Sequence, residues 1–565
     1  MGQFSDCRYP GINVLTETRI YCHLCGVSFN IARSRIPGEP QLAKWDYTGS
    51  QPDLGVDEVD LEECARNGCQ VVVFRPKEED STIDDPDYIP PENEAASADE
   101  YESDPGSVVS PDEAGLDEWD EDVESRCYQD WLFTGVIPQD SVPGEPTWLP
   151  LDRRDEVVFP IASEHWQAHY EPEDLEHIAG PNCLEANAYS GHAISLEEMQ
   201  GCRTAQFLIH KISSGAHWQP GRLDEDWELP EDWFLSGLCD GMASRDDGYN
   251  EVHPVRGGIG SPRCENVNFD PEYTEANEYA MPFHPWCFDI FCRQSKIHFG
   301  RVNISGLMEW RNAEFSWDDF YAFPRTGDAA SAQEQFWRHD PGNEYLAANP
   351  LFVPRLSPLL DAAVALEGNL SPQQGAFDLS CRPGYPRDTP VDPLTTLPMD
   401  IRLLILEYIT SRDIANLRLA SRAYEQLPIS LWYHLIRDEM PWLWEAWDGK
   451  ECVHRPSIWT SVTANGARLL FQRREHYDSV LKEEYRDGNP HEAMDYLLPL
   501  PASVIQQNIL PRDRTNWYQL YTEIKRNWSQ LKGLQNRQRI WEDVEEIVKR
   551  IKRQSGKINP MERNA

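Results

Sequence analysis

The sequence predicts an α+β chain of several domains: a mixed α/β N-terminal and middle region, a short three-helix segment, and a mostly helical C-terminal region. Three observations predict it. At 565 residues there is room for roughly three or four domains of about 100–200 residues each. Short β-rich or alternating runs, "CQVVVF", "DEVVFPIAS" and "KIHFGRVNI", lie in the first half between Gly and Pro punctuation and read as strands. After Trp432 the apolar residues fall instead at helical spacing: Trp517, Leu520, Tyr521, Ile524 and Trp528, then Trp541, Val544, Ile547, Val548 and Ile551. Such aromatic stripes are core material.

Charge divides the chain at one point. Residues 1–393 hold 26 Lys/Arg against 73 Asp/Glu, whereas residues 394–565 hold 25 against 23, so the net charge of -45 belongs to the first part. That balance opposes binding to a phosphate backbone, and no nucleic-acid partner is expected. No apolar run approaches the roughly 18–20 residues of a membrane span, so no membrane partner is expected either. The opening "MGQFSDCRYPGINVL" lacks the charged and apolar regions of a secretory signal, and Ser5 stands one place short of a myristoylation motif. The expectation is an intracellular protein, cytoplasmic and/or nuclear, with reduced thiols among its 14 cysteines.

Composition gives the borders. Residues 1–75 form a small Cys-containing module that ends in the β-rich run. Residues 76–125 are acidic and rich in Pro and Ser, too poor in apolar side chains to offset ordering entropy, and are expected to be a disordered linker. Residues 126–380 are a Trp-rich mixed α/β region with the character of a recognition domain, and 381–393 are a Pro-rich linker. Within 126–380, "SLEEMQGCRTAQFLIHKI" has capping-box spacing at Ser195 and Glu198 followed by amphipathic spacing, which predicts a helix. No fixed-period repeat is present, so neither a solenoid nor a propeller is indicated. The three-helix segment spans 394–435 and a helical region fills 436–565, where "KRIKRQSGK" reads as a solvated helix end or a nuclear-import patch.

The segment "LTTLPMDIRLLILEYITSRDIANLRLASRAYEQLPISLW" carries more apolar surface than three short helices can bury among themselves. Pro398 suits a helix start, and Ile401, Leu404, Ile405 and Tyr408 form one stripe while Leu403, Leu406 and Ile409 face elsewhere. Thr410 and Asp413 have capping-box spacing for a second helix, and a third carries Leu431 and Trp432. Excess apolar surface of this kind belongs to a partner protein. Leu397-Pro398, Ile405-Leu406, Ile409, Asp413-Ile414, Leu417, Ser421-Arg422 and Leu431-Trp432 together resemble an F-box, in register over about 40 residues. Asp400-Ile401 stands where the family usually has Glu-Leu, and Tyr424 where it often has Trp. The "YCHLCGVSFNIAR" opening, Trp-rich middle and late F-box together also resemble a group of fungal F-box proteins.

The resemblance implies docking onto a Skp-type adaptor, and through it a cullin, as the substrate-recognition subunit of a ubiquitin ligase with no catalysis of its own. It implies Leu397, Pro398, Ile401, Ile405, Leu406, Ile409, Ile414, Leu417, Leu419, Leu431 and Trp432 as the partner-binding set. The protein substrate is not specified. Two alternatives stand beside it: an F-box scaffold that presents nothing for ubiquitination, and a metal-dependent enzyme in 126–380 with an appended F-box.

Cys22-His-Leu-Cys25 is the strongest metal-like signal, since two thiolates three positions apart can share one tetrahedral Zn²⁺. A second pair is required: Cys64 with Cys69 is nearest, and His284 with Cys287, or Cys287 with Cys292, are the distant options. A structural zinc, a redox CxxC and buried inert thiols are the three readings of Cys22 and Cys25. His165 and His169 stand at i and i+4, but Pro160 and Pro172 bracket them, which favours a non-ligand role. "RGGIGSP" reads as a loop, and no P-loop, Gly-x-Ser-x-Gly or His-Glu-x-x-His motif occurs.

One stability prediction follows from composition. Residues 76–125 hold 20 Asp/Glu against one Lys, so deleting them should leave the melting temperature almost unchanged, loop-length effects being only logarithmic. A drop of many degrees in a thermal melt would show that the segment packs on the body.

Overall fold

Three consecutive valines, Val71 to Val73, set the first sheet, because β-branched side chains fit a pleated, buried surface. The computed structural model of the chain describes residues 21–39, 43–45, 59–76, 154–167, 170, 175–211, 225–240, 280–314, 323, 325–333, 338–364, 377, 392–447, 454, 456–461 and 509–558. After the short strand β1 (Arg33–Ser34) comes α1 (Leu61–Arg66), whose start is capped by the Asp60 carboxylate, and then β2 (Gln70–Pro76). β2 is the middle strand of an antiparallel sheet, flanked by β3 (Arg154–Pro160) and, after the short helix α2 (Glu164–Gln167), by β4 (Leu175–Ile178). Val71 and Val73 point into a small core, while Val72 meets Ile178 on the opposite face, the period-2 alternation of a strand. Pro76 and Arg154 are ladder partners. The chain between them, including the expected linker 76–125 almost entirely, lies outside the described residues but leaves and returns at one rung.

The second sheet is built on β6 (Thr204–His210), reached after β5 (Tyr189–Ser190), which pairs in parallel with β1. β6 pairs antiparallel with β7 (Trp233–Leu235), β8 (Cys239–Asp240) and β9 (Met281–Phe283). The sequence predicts a helix over residues 195–212, and this is corrected over the described residues 195–211. The capping box does form: Ser195 N–H donates to Glu198 Oε2 at 3.0 Å and Glu198 N–H to Ser195 Oγ at 3.2 Å. It closes a turn, not a helix, because the chain reverses at Gly201 (φ +78°) and "TAQFLIH" is then buried along nearly its whole length as a strand. A short apolar run buried on both faces has no period that separates the two structures.

Helices follow. α3 (Pro285–Phe299) opens with Pro285 at its first position and ends at Gly300 in the left-handed region, and α4 (Ile304–Glu314) starts a few residues on. The expected strand "KIHFGRVNI" is therefore a helix end, a turn and a helix start; its alternation straddles the Gly300 cap. α5 (Gly327–Ser331) and α6 (Leu356–Ala363) lead to three short helices, α7 (Met399–Glu407), α8 (Ser411–Ala420) and α9 (Ile429–Glu439). α10 (Ile458–Ser461) is a single turn; α11 (Trp517–Arg526) and the long α12 (Lys532–Ile558) complete the described chain. The "KRIKRQSGK" stretch forms the last turns of α12.

α12 buries Leu534, Ile540, Trp541, Val544, Ile547, Val548 and Ile551 against α3 and α4, as its stripe requires. One apolar core runs without a break from Tyr21 through β6 and α3 to Leu406, Ile414 and Ile551. Apolar residues from both sides of positions 75, 393 and 435 belong to that core. The described elements make a mixed α+β protein, and among the described residues no helix is long and apolar enough to cross a membrane.

A charged knot sits in this core. Asp289 on α3 accepts from Arg293 Nε at 2.7 Å and lies 2.7 Å from His454 Nε2, and all three are buried. Burial pushes the Asp289 pKa up, but Arg293 and His454 outweigh it and hold the carboxyl below the usual range. Arg293 and Arg537 both lie over the Trp444 ring, 4.1 and 3.8 Å from its centroid, and Arg537 is held by both oxygens of Glu445 at 2.9 Å. Asp289→Ala removes one partner of a buried charge pair and should cost about 3–5 kcal/mol in a denaturant melt; a loss below about 1 kcal/mol would show that the pair is not desolvated in solution.

Candidate metal centre

Tyr21 and Ser28 form an isolated antiparallel bridge, and the hairpin between them presents Cys22 and Cys25. Cys22 N–H donates to Val27 O at 3.0 Å and Gly26 N–H to Cys22 O at 2.7 Å, so the turn is closed by the backbone itself. Gly26 is required twice over: its φ is +75°, and a Cβ there would come within 2.6 Å of Arg325 Cδ. The other two ligand-type groups come from the start of α3. His284 is the residue before the helix, Pro285 fixes its first position, and Cys287 lies in its first turn, where the helix dipole favours a thiolate.

Cys22, Cys25, His284 and Cys287 are all buried, and their ligand atoms lie within 4.8 Å of one another. Cys25 Sγ is 3.6 Å from His284 Nδ1, and the His284 backbone N–H donates to Cys22 Sγ at 3.4 Å. His284 Nε2 lies 3.1 Å from the carbonyl of Cys202. That contact places the proton on Nε2 and leaves the Nδ1 lone pair turned toward the sulfurs, the orientation a ligating imidazole needs. Burial pushes the Cys22 and Cys287 thiols up. Burial acts the same way on Cys25, but the neighbouring Cys22 and Cys287 thiols and His284 hold it well below the usual thiol value. Thiolates packed this closely would disfavour one another, a repulsion that a divalent cation would relieve. Three thiols and an imidazole with every position supplied by protein make a closed, four-ligand set with no place for substrate.

The surroundings fix the hairpin from the far end of the chain. Arg539 on α12 donates to Cys25 O at 2.7 Å, and Arg325 donates to Leu24 O at 3.0 Å and His23 O at 3.3 Å. Both guanidiniums meet Asp543 Oδ2, at 3.3 and 2.9 Å. Burial opposes the Arg539 charge, yet Cys25, Asp543 and Cys287 hold its pKa above the ordinary guanidinium value.

Of the expected second pairs, the structure brings His284 with Cys287 to Cys22 and Cys25. Cys64 and Cys69 are not that pair; they lie in a separate buried group with His177 and Cys183, two residues that the sequence reading did not single out. Cys292 is buried but five positions beyond Cys287, outside the quartet, and burial pushes its thiol up. His165 is exposed on α2, His169 lies outside the described residues, and so does "RGGIGSP".

The expected partner-binding set divides into three. Leu406, Ile414, Leu431 and Trp432 are buried and face inward. Trp432 packs on Tyr518 and Tyr521 of α11, with centroids 4.9 and 5.4 Å away. Leu397, Ile405, Ile409 and Leu417 are half-buried. Pro398, Ile401 and Leu419 are exposed, as are Met399, Leu404 and Tyr408. Tyr424, at the position where Trp is common, is buried against Phe377.

No protein-family model matches the chain, and no solved structure matches it. Over 74 residues, 13% of its length, the chain is 43% identical to the mitochondrial ATP-dependent RNA helicase mss116 of Aspergillus oryzae. It spans 12% of that helicase, so the likeness is of one short stretch.

Elemental analysis tests the quartet. Cys287→Ser should lower the bound divalent metal by about one equivalent per chain relative to the unsubstituted protein, while Cys292→Ser should leave it unchanged. Equal metal content in the two variants would remove the site.

Proposed function

We propose that the chain is a substrate-recruiting adaptor of a Skp–cullin–F-box type ubiquitin ligase, with residues 394–435 as the docking element and the remainder as the substrate-facing body. The observation that carries this reading is an outward apolar strip on two short helices. Met399, Ile401, Leu404, Tyr408 and Leu419 are exposed, Tyr408 by 81% and Leu419 by 89%, although the same helices also bury Leu406 and Ile414. Helices of this length rarely leave large apolar side chains in water on one side while burying others on the opposite side unless a partner covers them. Supporting it, Asp392 fastens the segment's start to the end of α8: its carboxylate accepts from Leu394 N–H at 3.0 Å, Ser421 Oγ at 2.5 Å and Ala423 N–H at 3.2 Å. Thr410 caps α8 by accepting from Asp413 N–H at 3.2 Å. The strip is thus presented by fixed helices.

In this reading the Cys22–Cys25–His284–Cys287 ion is a structural Zn²⁺, which the Cys₃His donor set selects, and its closed coordination argues against the metal-dependent enzyme. The zinc holds the body that the docking helices carry; it takes no part in chemistry.

Calorimetric titration of a purified Skp-type adaptor decides the reading. The double substitution Leu404→Asp, Leu419→Asp touches only exposed positions and should weaken binding at least tenfold, about 1.4 kcal/mol. Leu406→Ala, at a buried position, should act mainly on stability, by about 2–5 kcal/mol. Absence of binding by the unsubstituted chain, or equal affinity in the Asp variant, would overturn the adaptor function.

A further inference from the structure

We propose that Cys64, Cys69, His177 and Cys183 bind a second Zn²⁺, and that this ion, not apolar packing, holds the β2–β3–β4 sheet together. The inference does not depend on the adaptor reading.

The four side chains are buried and their ligand atoms lie within 4.8 Å of one another. Cys64 Sγ is 3.4 Å from His177 Nε2 and 3.9 Å from Cys183 Sγ, and Cys183 Sγ is 3.9 Å from His177 Nε2. The spacing of the sulfurs and the imidazole nitrogen is that of groups around one small cation, since Zn–S and Zn–N bonds of about 2.3 and 2.0 Å set ligand atoms about 3.5–4 Å apart. Each ligand is placed by backbone. Cys69 N–H donates to Cys64 O at 3.0 Å across the turn after α1, where Gly68 has φ +74°. His177 is fixed by the β2–β4 register opposite Val71, and Cys183 by a turn in which its N–H donates to Gly180 O at 3.1 Å. Gly180 N–H in turn donates to Cys69 Sγ at 3.3 Å, a bond that stabilises a thiolate. A Cβ on Gly180 would stand 2.1 Å from Asn67 O, so the two turns that carry the ligands touch only because that residue is glycine. Among the described residues His177 Nδ1 is buried without a hydrogen-bond partner, so the contacts that orient the imidazole are those of Nε2.

The sheet's own core cannot carry it. Twelve buried side chains form that core: three are the ligand cysteines Cys64, Cys69 and Cys183, and four are alanines. Among the described residues, Val71, Val73, Ile161, Trp166 and Leu175 remain as its buried larger apolar side chains, with Val59, Phe159 and Tyr170 partly buried against them. Cores of this size are usually completed by a metal or disulfide. The ligands also come from both sides of the segment outside the described residues, Cys64 and His177 being 113 positions apart. A shared ion would therefore close that long loop at its base. The first centre differs: its ligands lie in the large continuous core. Loss of the second ion should release the small sheet alone.

The test uses the full chain. As purified, it should contain two zinc ions, Cys183→Ser one, and Cys287→Ser one. Amide hydrogen exchange should rise at least tenfold in residues 61–76 and 175–183 of Cys183→Ser while α12 keeps its protection. As a check that needs no variant, limited chelation of the unsubstituted chain should remove the zinc of this second centre before the other, together with protection in that sheet only. A single zinc in the unsubstituted chain, unchanged exchange in the sheet after one zinc is lost, or equal loss of protection in α12 would each overturn the proposal.

Discussion

The Cys22–Cys25–His284–Cys287 quartet is the constraint on which the rest of the architecture depends. It joins the N-terminal hairpin to the start of α3, and α3 is the helix against which α12 lays its apolar stripe. The hairpin carbonyls of His23, Leu24 and Cys25 are then satisfied by Arg325 and Arg539, whose charges meet at Asp543. Each layer supports the next: a cation would permit several thiolates in a dry core, and the fixed hairpin presents carbonyls that let two guanidiniums be buried.

The legible part of the centre was its local half. Cys22 and Cys25 stand three apart and announce themselves, and His284 and Cys287 repeat that spacing, but only the fold decides that these two pairs meet. His177 and Cys183 lay beyond reach because one is a strand residue and the other follows a turn, so no helical or turn spacing links them. Long periodic helices such as α12 were readable from their stripes. The error at Ser195 is instructive, because both hydrogen bonds of the capping box exist there. A cap satisfies a few donors; it does not supply the amphipathic face that would keep the following chain helical. In the F-box-like segment the existence of three helices was readable, whereas the direction of each side chain was not. Leu406 and Leu404 differ in environment only because α7 has the remainder of the protein on one side.

An acidic chain that buries its cations behaves differently from one that wears them. Arg33, Arg35, Arg203, Arg311 and Arg537 are among the largest fully buried side chains. Arg35 is gripped by Glu176 at 2.7 Å and Glu156 at 2.9 Å, and Arg33 by Glu39 at 2.7 Å. Arg33 and Arg35 in this way neutralise carboxylates inside the fold, as Arg537 does for Glu445. Planar guanidiniums, with five donors each, suit the task of tying together distant carbonyls and carboxylates in a core rich in Trp.

The order of ligands along the chain has a temporal meaning during synthesis. Cys25 precedes His284 by 259 residues, which at a ribosomal rate of about 5–20 residues per second is roughly 13–50 s. Through that interval the nascent hairpin holds two of the four ligand-type groups without the other two. The arginine that locks the hairpin, Arg539, emerges later still, in the first third of α12. An early-made hairpin is therefore completed late, and its thiols need shelter from oxidation until α12 is made.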